Sequence, residues 1–149
     1  MFIIPKKDGR VRWTSNLCQL NKVVKKKQYP LPITSDILRK YIGNEYFSKL
    51  DRSMQYYIFE LDKESQDLCT IVTPFGKFKY TRLPIGLPCS PDFAQEVMQD
   101  IFCGVNDTDV YMDDAGWFCN DWNSHIELLD IIPRKLQENG FTVNPLENE

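Results

Sequence analysis

Two adjacent carboxylates, Asp113 and Asp114, stand in the stretch Thr108-Asp109-Val110-Tyr111-Met112-Asp113-Asp114-Ala115-Gly116-Trp117-Phe118. It reads as two short apolar strands about a turn, with both acids at the tip. Aspartates are ordinary turn residues, so hairpin punctuation with incidental acids accounts for them without any chemistry. Their flanks argue for more. Val110, Tyr111, Trp117 and Phe118 are β-formers suited to burial and would hold the turn rigidly against a core. A third carboxylate, Asp51, ends another apolar run, Tyr46-Phe47-Ser48-Lys49-Leu50. If the two runs pair, Asp51 and Asp113 converge on one edge of a sheet. Converging carboxylates are what two-metal phosphoryl transfer requires. Hard Mg2+ ions take oxygen ligands from few protein carboxylates plus substrate phosphates.

The rest of the chain must supply the elements that position these acids. A strand is predicted over 11–17 after the turn Lys7-Asp8-Gly9. Tyr29-Pro30-Leu31-Pro32 is extended, because each proline biases its predecessor away from helix. A helix over 34–41 follows, with Ile33, Ile37, Leu38 and Tyr41 inward and Gly43 as its stop. The runs 69–73 and 77–83, about Pro74-Phe75-Gly76, read as a hairpin. Ser90 suits an N-cap with Pro91 at the first helical position. Phe93, Val97 and Ile101, beside Ala94 and Met98, then give an apolar stripe. Asn120-Asp121 can cap a helix carrying Ile126, Leu129, Ile132 and Leu136, which Gly140 ends before a short strand, Phe141-Thr142-Val143. Pro133 falls inside that helix and should kink it, at a cost of about 3 kcal/mol. The order predicts an α+β layer: helices on one face of an antiparallel sheet, with the acids at its exposed end.

Composition narrows the reading. A chain of 149 residues that is 42% hydrophobic and 13% aromatic can build one core, and it is not of a disordered class. No run reaches membrane-spanning length and Met1 to Lys7 lacks a signal-peptide core, so an intracellular, cytoplasmic or nuclear location with no membrane partner is expected. Cys18, Cys69, Cys89, Cys103 and Cys119 are scattered and His125 is the one histidine, so the pattern offers no zinc spacing and points to free, mostly buried thiols. Residues 1–40 hold ten Lys/Arg against Asp8 and Asp36, a charge of +8, which leaves −11 for the remainder. A basic segment joined to an acidic body suits a polyanion at one end and cations at the other, and it suits equally a solvated basic face.

Nine motifs in order then resemble a reverse transcriptase, specifically the fingers–palm region of a gypsy-type long-terminal-repeat retrotransposon polyprotein. They are Lys6-Lys7-Asp8-Gly9 with Arg12, Leu20-Asn21-Lys22, Tyr29-Pro30-Leu31-Pro32, Phe47-Ser48-Lys49-Leu50-Asp51 with Tyr56-Tyr57, Thr73-Pro74-Phe75-Gly76, Leu83-Pro84-Ile85-Gly86-Leu87, Ser90-Pro91, Tyr111-Met112-Asp113-Asp114, and Asn139-Gly140-Phe141 with Asn144-Pro145. The resemblance implies a polymerase palm with a ferredoxin-like antiparallel sheet plus partial fingers, and no thumb. Residues 1–45 and 63–90 would be fingers, and 46–62 and 91–149 palm.

The roles it implies are specific. Asp51, Asp113 and Asp114 match the catalytic acids, which hold two Mg2+ ions, with Mn2+ as a substitute. Lys6, Lys7 and Arg12 match the finger residues that grip the triphosphate, a task suited to an ammonium and a forked guanidinium. Tyr56 matches the gate that excludes a ribose 2′-hydroxyl, and Ile85 and Gly86 the loop under the incoming nucleotide. Ser90, Pro91, Tyr111 and Met112 match template and primer contacts. The implied partners are an RNA or DNA template with its primer, a dNTP, and a partner chain able to supply a thumb or ribonuclease H.

Departures from the pattern bear on activity. Asn16 and Cys18 stand where the family usually has Asp and Arg, Glu147 where relatives have Lys, and Pro133 where a helix former is usual. Three readings follow. One is an RNA-directed DNA polymerase domain, truncated and weak or inactive alone. A second is a non-catalytic retrotransposon-derived remnant that folds and binds nucleic acid or a partner. The third, a nucleotide cyclase on a similar layer, has no use for the segment from Lys6 to Arg12 or for Ser90-Pro91.

Overall fold

The computed structural model describes residues 2–5, 9, 11–25, 29–51 and 55–142. In chain order the elements are β1 (Phe2–Pro5), β2 (Val11–Thr14), α1 (Cys18–Asn21), α2 (Thr34–Tyr41), β3 (Tyr46–Asp51) and a 3-10 turn (Gln55–Ile58). There follow α3 (Lys63–Leu68), β4 (Thr70–Thr73), β5 (Gly76–Lys79), α4 (Ser90–Ile101), β6 (Thr108–Tyr111), β7 (Asp114–Cys119) and α5 (Trp122–Glu138). The chain forms two units, Met1–Gln28 with Tyr56–Ser90, and Tyr29–Gln55 with Pro91–Glu149. Among the described residues no helix is long and apolar enough to cross a membrane.

The second unit is built on the antiparallel sheet β3-β7-β6. Its register pairs Asp51 with Asp114, Lys49 with Gly116 and Phe47 with Phe118. On the other side of β7, Tyr111 pairs with Asp114 and Asp109 with Gly116. Because side chains alternate along a strand, Leu50, Val110, Ala115 and Trp117 share one face, and all four are buried. Helix α5 covers that face. His125 lies among the rings of Tyr46, Trp117 and Trp122, and its Nε2 meets Ser48 Oγ at 2.9 Å. Lys135 Nζ donates to the Ile101 carbonyl at 3.2 Å and ties α5 to the end of α4.

The opposite face carries Phe47, Lys49, Asp51, Asp109, Tyr111, Asp114, Gly116 and Phe118. Here α2 supplies the cover, so helices lie on both sides of the sheet. The Tyr41 ring packs 5.6 Å from that of Phe47 and 4.8 Å from that of Phe118. Lys40 Nζ donates to Asp109 Oδ1 at 2.6 Å. Gly116 lies directly beneath Tyr41, and a methyl group there would overlap the tyrosine hydroxyl oxygen.

In the first unit β1 pairs with β2, and β4 with β5. A cluster of Leu17, Cys69, Leu83 and Leu87 forms its core, with Tyr56, Phe59 and Tyr80 packed against it. Ser15 Oγ and the Tyr80 hydroxyl are 2.7 Å apart.

Several local expectations change. The strand predicted over 11–17 stops at Thr14, and Leu17 turns inward as the N-cap of α1. Ile33 and Leu38 of the α2 region are 65% and 61% exposed rather than inward. On α4, past its first residue Ser90, the buried positions are Ala94, Gln95 and Met98, while Phe93 is 41% exposed. On α5 they are His125, Ile132 and Leu136, and Ile126 and Leu129 face outward. In each case a neighbouring ridge of the same helix meets the sheet, a choice that periodicity leaves open. Helix α3 was not anticipated, although Asp62 caps it by accepting the Ser65 N–H at 2.9 Å. Helix α5 runs on through Pro133, which leaves the Leu129 carbonyl without its usual donor. Gly140, at φ +76°, ends α5. Its N–H bonds to the Gln137 carbonyl and that of Phe141 to Leu136, the Schellman pattern. Phe141 and Thr142 are not in a strand, and Val143 lies outside the described residues. The thiols are free but divided: Cys69 and Cys119 are buried, Cys18 and Cys103 exposed.

Candidate active site

The pairing of Tyr111 with Asp114 leaves only Met112 and Asp113 between β6 and β7. Asp113 therefore occupies the turn, while Asp114 is the first residue of β7 and not a tip residue. Met112 has φ +50°. A two-residue hairpin with positive φ at its first central position normally places glycine there, and a larger side chain costs about 1–3 kcal/mol of strain.

The opposing force comes from α4. Gln95 has no exposed surface. Its Nε2 donates to the Val110 carbonyl at 2.8 Å, and its Oε1 accepts the Met112 N–H at 2.8 Å. One side-chain amide thus brackets the residues just before the acids, using both its donor and its acceptor. Sequence reasoning missed Gln95. The available signal was a polar residue set between Ala94 and Met98 on the apolar side of a helix.

The register brings Asp51 and Asp114 directly opposite on one face. Such partners have Cβ atoms roughly 4.5–5.5 Å apart, and like charges there repel. A cation is called for. Lys49, two residues before Asp51 on the same face, places Nζ 3.2 Å from Asp114 Oδ1. Both side chains are close to half exposed, so solvent screens this pair. Among the described residues no three His, Cys, Asp or Glu side chains gather closely enough to hold a metal ion. The donors do fit a hard divalent ion in kind: Asp51, Asp113 and Asp114 offer carboxylate oxygens alone.

Beside these acids a cavity of about 440 Å³ lies between α2 and the sheet, with Tyr41, Phe47, Lys49, Tyr111 and Asp114 among its walls. Burial, and then the charge of Asp109, raises the pKa of the Tyr41 hydroxyl. The neutral, hydrogen-bonding form of Tyr41 is thereby favoured on this face.

The remaining expected site residues belong largely to the first unit. Tyr56 packs against the Leu17 cluster. Ile85 is half-buried. Gly86 has φ +107°, and its carbonyl accepts from Asn21 Nδ2 at 2.9 Å, which joins two of the sequence motifs. Ser90 is 2% exposed, and its hydroxyl donates to the Pro84 carbonyl at 3.3 Å instead of capping α4. Pro91, half-buried, follows it into the helix. Lys6, Lys7 and Glu147 lie outside the described residues, as does the side chain of Arg12. Asn16 Oδ1 accepts the Cys18 N–H at 3.1 Å, so it serves the opening of α1 locally.

A family model described as reverse transcriptase (RNA-dependent DNA polymerase) matches residues 4–146. The chain belongs to the reverse transcriptase family. Curated relatives of this reverse transcriptase domain include the transposon Tf2-3 and Tf2-7 polyproteins of Schizosaccharomyces pombe, each 28% identical over 151 residues. The alignments cover 100% of this chain and 11% of either polyprotein, so the domain spans about a tenth of the relatives it matches. Among solved structures, the foamy viral protease-reverse transcriptase in complex with double-stranded DNA superposes with a TM-score of 0.91 at 24% identity, over 98% of this domain and 26% of that chain. The same enzyme with an RNA/DNA hybrid gives 0.87 at 23%, over 98% and 20%. These likenesses establish the fold of the fingers–palm region.

Proposed function

We propose that this reverse transcriptase domain holds the nucleotidyl-transfer centre of an RNA-directed DNA polymerase, joining a dNTP to a primer 3′-hydroxyl on an RNA or DNA template. The observation that supports it best is the pairing of Asp51 with Asp114, beside Asp113 in a strained turn braced by Gln95. Strain kept in place by a dedicated buried side chain is characteristic of working sites.

Asp51, Asp113 and Asp114 would hold two divalent ions, Mg2+ or in its place Mn2+. When bound, such ions lower the pKa of the attacking hydroxyl and offset charge on the leaving pyrophosphate. The protein's own part is positioning. The β3–β7 register sets the spacing of Asp51 and Asp114, and Gln95 sets the approach of Asp113. Lys49 pairs with Asp114 and would have to release it for that carboxylate to hold an ion. In this reading Lys6, Lys7 and Arg12 grip the triphosphate, and Tyr56 gates the sugar. Ile85 and Gly86 lie under the nucleotide, and Pro91, Tyr111 and Met112 meet template or primer. Ser90 would act through the Pro84 loop, since its hydroxyl is buried. A partner chain supplying a thumb or ribonuclease H is compatible with the reading, as is a cytoplasmic or nuclear setting.

Single-nucleotide primer extension on an RNA template, with Mg2+ or Mn2+, tests it. Extension by this chain that disappears in Asp113→Asn is the expected result. No extension from folded protein at high concentration and low salt would overturn it. That outcome would leave the remnant reading, which the uncharged pair Asn16 and Cys18 favours.

A further inference from the structure

The β4–β5 hairpin does nothing in the mechanism above, yet it carries the most exposed large apolar residue in the described chain. Phe75, in the two-residue turn, is 89% exposed, and Phe78 on β5 is 51% exposed. The register pairs Ile71 with Phe78 and Val72 with Lys77. Alternation therefore puts Ile71 and Phe78 on one side of the ribbon, and Lys77 with Lys79 on the other. Tyr57, Ile71, Phe75, Phe78 and Tyr80, with Lys79 at the margin, line an open groove of about 450 Å³. That volume lies in the range of roughly 300–1,000 Å³ that holds small ligands.

Four aromatic rings in one groove are more than hairpin stability requires, and an exposed edge strand bearing such rings invites aggregation unless something occupies them. Charge indicates the occupant. Residues 70–82 include Lys77, Lys79 and Arg82 and no Asp or Glu. Lys79 is paired with Asp67 and Arg82 with Glu60, whereas Lys77 forms no ion pair among the described residues and stands exposed. Rings beside cations are the pattern of sequence-tolerant single-strand binding. Every base offers a π-face to stack, and the phosphates follow the positive charge. The ribbon is two strands wide, at about 4.8 Å between strands. A polynucleotide along its edge can therefore reach the rings with its bases and the ammonium groups with its phosphates.

We propose that the β4–β5 hairpin is a stacking platform for unpaired nucleotides of a single-stranded template, with Phe75 and Phe78 as the stacking rings and Lys77 as the phosphate contact. The assignment of that strand as template rests on the polymerase reading. The stacking itself does not.

Fluorescence anisotropy at low salt tests the platform with two labelled probes, a blunt primer–template duplex and the same duplex with a template overhang of roughly ten nucleotides. The chain should bind the overhang probe more tightly, and each of Phe75→Ala and Phe78→Ala should weaken that binding about fivefold or more while leaving the blunt duplex unchanged. Lys77→Gln should lower the salt slope for the overhang probe by about one. Equal binding of both probes, or ring variants that bind the overhang like the parent, would overturn the proposal. So would concentration-dependent sedimentation of the free chain that the ring variants abolish, since it assigns the face to a second copy. Primer extension separates the two proposals. Loss of overhang binding in the ring variants, with no extension by the parent, would overturn the polymerase reading and leave the platform. Extension with no overhang effect would do the reverse.

Discussion

The carboxamide oxygen of Gln95 accepts the backbone N–H of Met112 at 2.8 Å, and through this bond a helix fixes the turn that presents Asp113. Gln95→Leu keeps the volume but leaves the Val110 carbonyl and the Met112 N–H without their partner. An unsatisfied buried group costs about 1–3 kcal/mol, so the variant should lose about 2–4 kcal/mol in urea denaturation. Gln95→Glu keeps the shape but buries a carboxyl group against the Val110 carbonyl, either as an unpaired charge or forced into its protonated form, so at neutral pH it should cost at least as much as Gln95→Leu. If the turn is the catalytic one, primer extension should fall further than the loss of folded protein explains.

Lys49 competes with any cation for Asp114. An exposed pair of this kind contributes about 0–1 kcal/mol, so Lys49→Ala should tighten divalent binding by up to about fivefold. Titration with Mn2+, followed by the paramagnetic relaxation of water protons, measures this. Weaker Mn2+ binding in Lys49→Ala would mean that the ammonium supports the site rather than competing for it.

Gly116 is a glycine because Tyr41 lies over it. Gly116→Ala should lower stability by about 1–3 kcal/mol, since Phe47 and Phe118 hold the tyrosine ring in place. Tyr41→Phe in the same chain should restore part of that loss, because the hydroxyl oxygen is what the methyl meets first. A double-mutant cycle reads the coupling directly. Additive losses would show that the two residues do not share the space.

Two helix caps should be visible in acid. Asp121 and Asp62 accept the N–H groups of Ser124 and Ser65, and these bonds hold both carboxyls below their ordinary range. A depressed folded-state pKa contributes stability above the unfolded value near pH 4, and that stability is lost as pH falls through the folded value. The melting temperature should therefore drop as pH falls below about 4. In Asp62→Asn/Asp121→Asn, whose amides cap without titrating, the decline should be shallower. Parallel curves for the two proteins would show that other carboxylates dominate.

Much of this was legible in the residues themselves. Strand-forming runs at 46–51 and 108–119, a proline after Ser90, an aspartate before the last helix and Gly140 after it are local signals, and local signals decide where elements begin and end. The acids at 51, 113 and 114, in the company of the other motifs, carried the family. What the sequence left open was orientation. A helix with apolar residues on more than one ridge can turn any of them inward, and the shape of the opposing sheet decides which. That is why Gln95 and His125 are buried, whereas Phe93, Ile126 and Leu129 face out. Register was likewise a tertiary matter. Only the pairing of β3 with β7 sets Asp51 opposite Asp114, and a slip of one residue would have sent Asp51 to the other face. The bracing of Met112 by Gln95 and the seat of Tyr41 over Gly116 join residues far apart in the chain. No local propensity encodes such contacts, because they form only once two elements have packed.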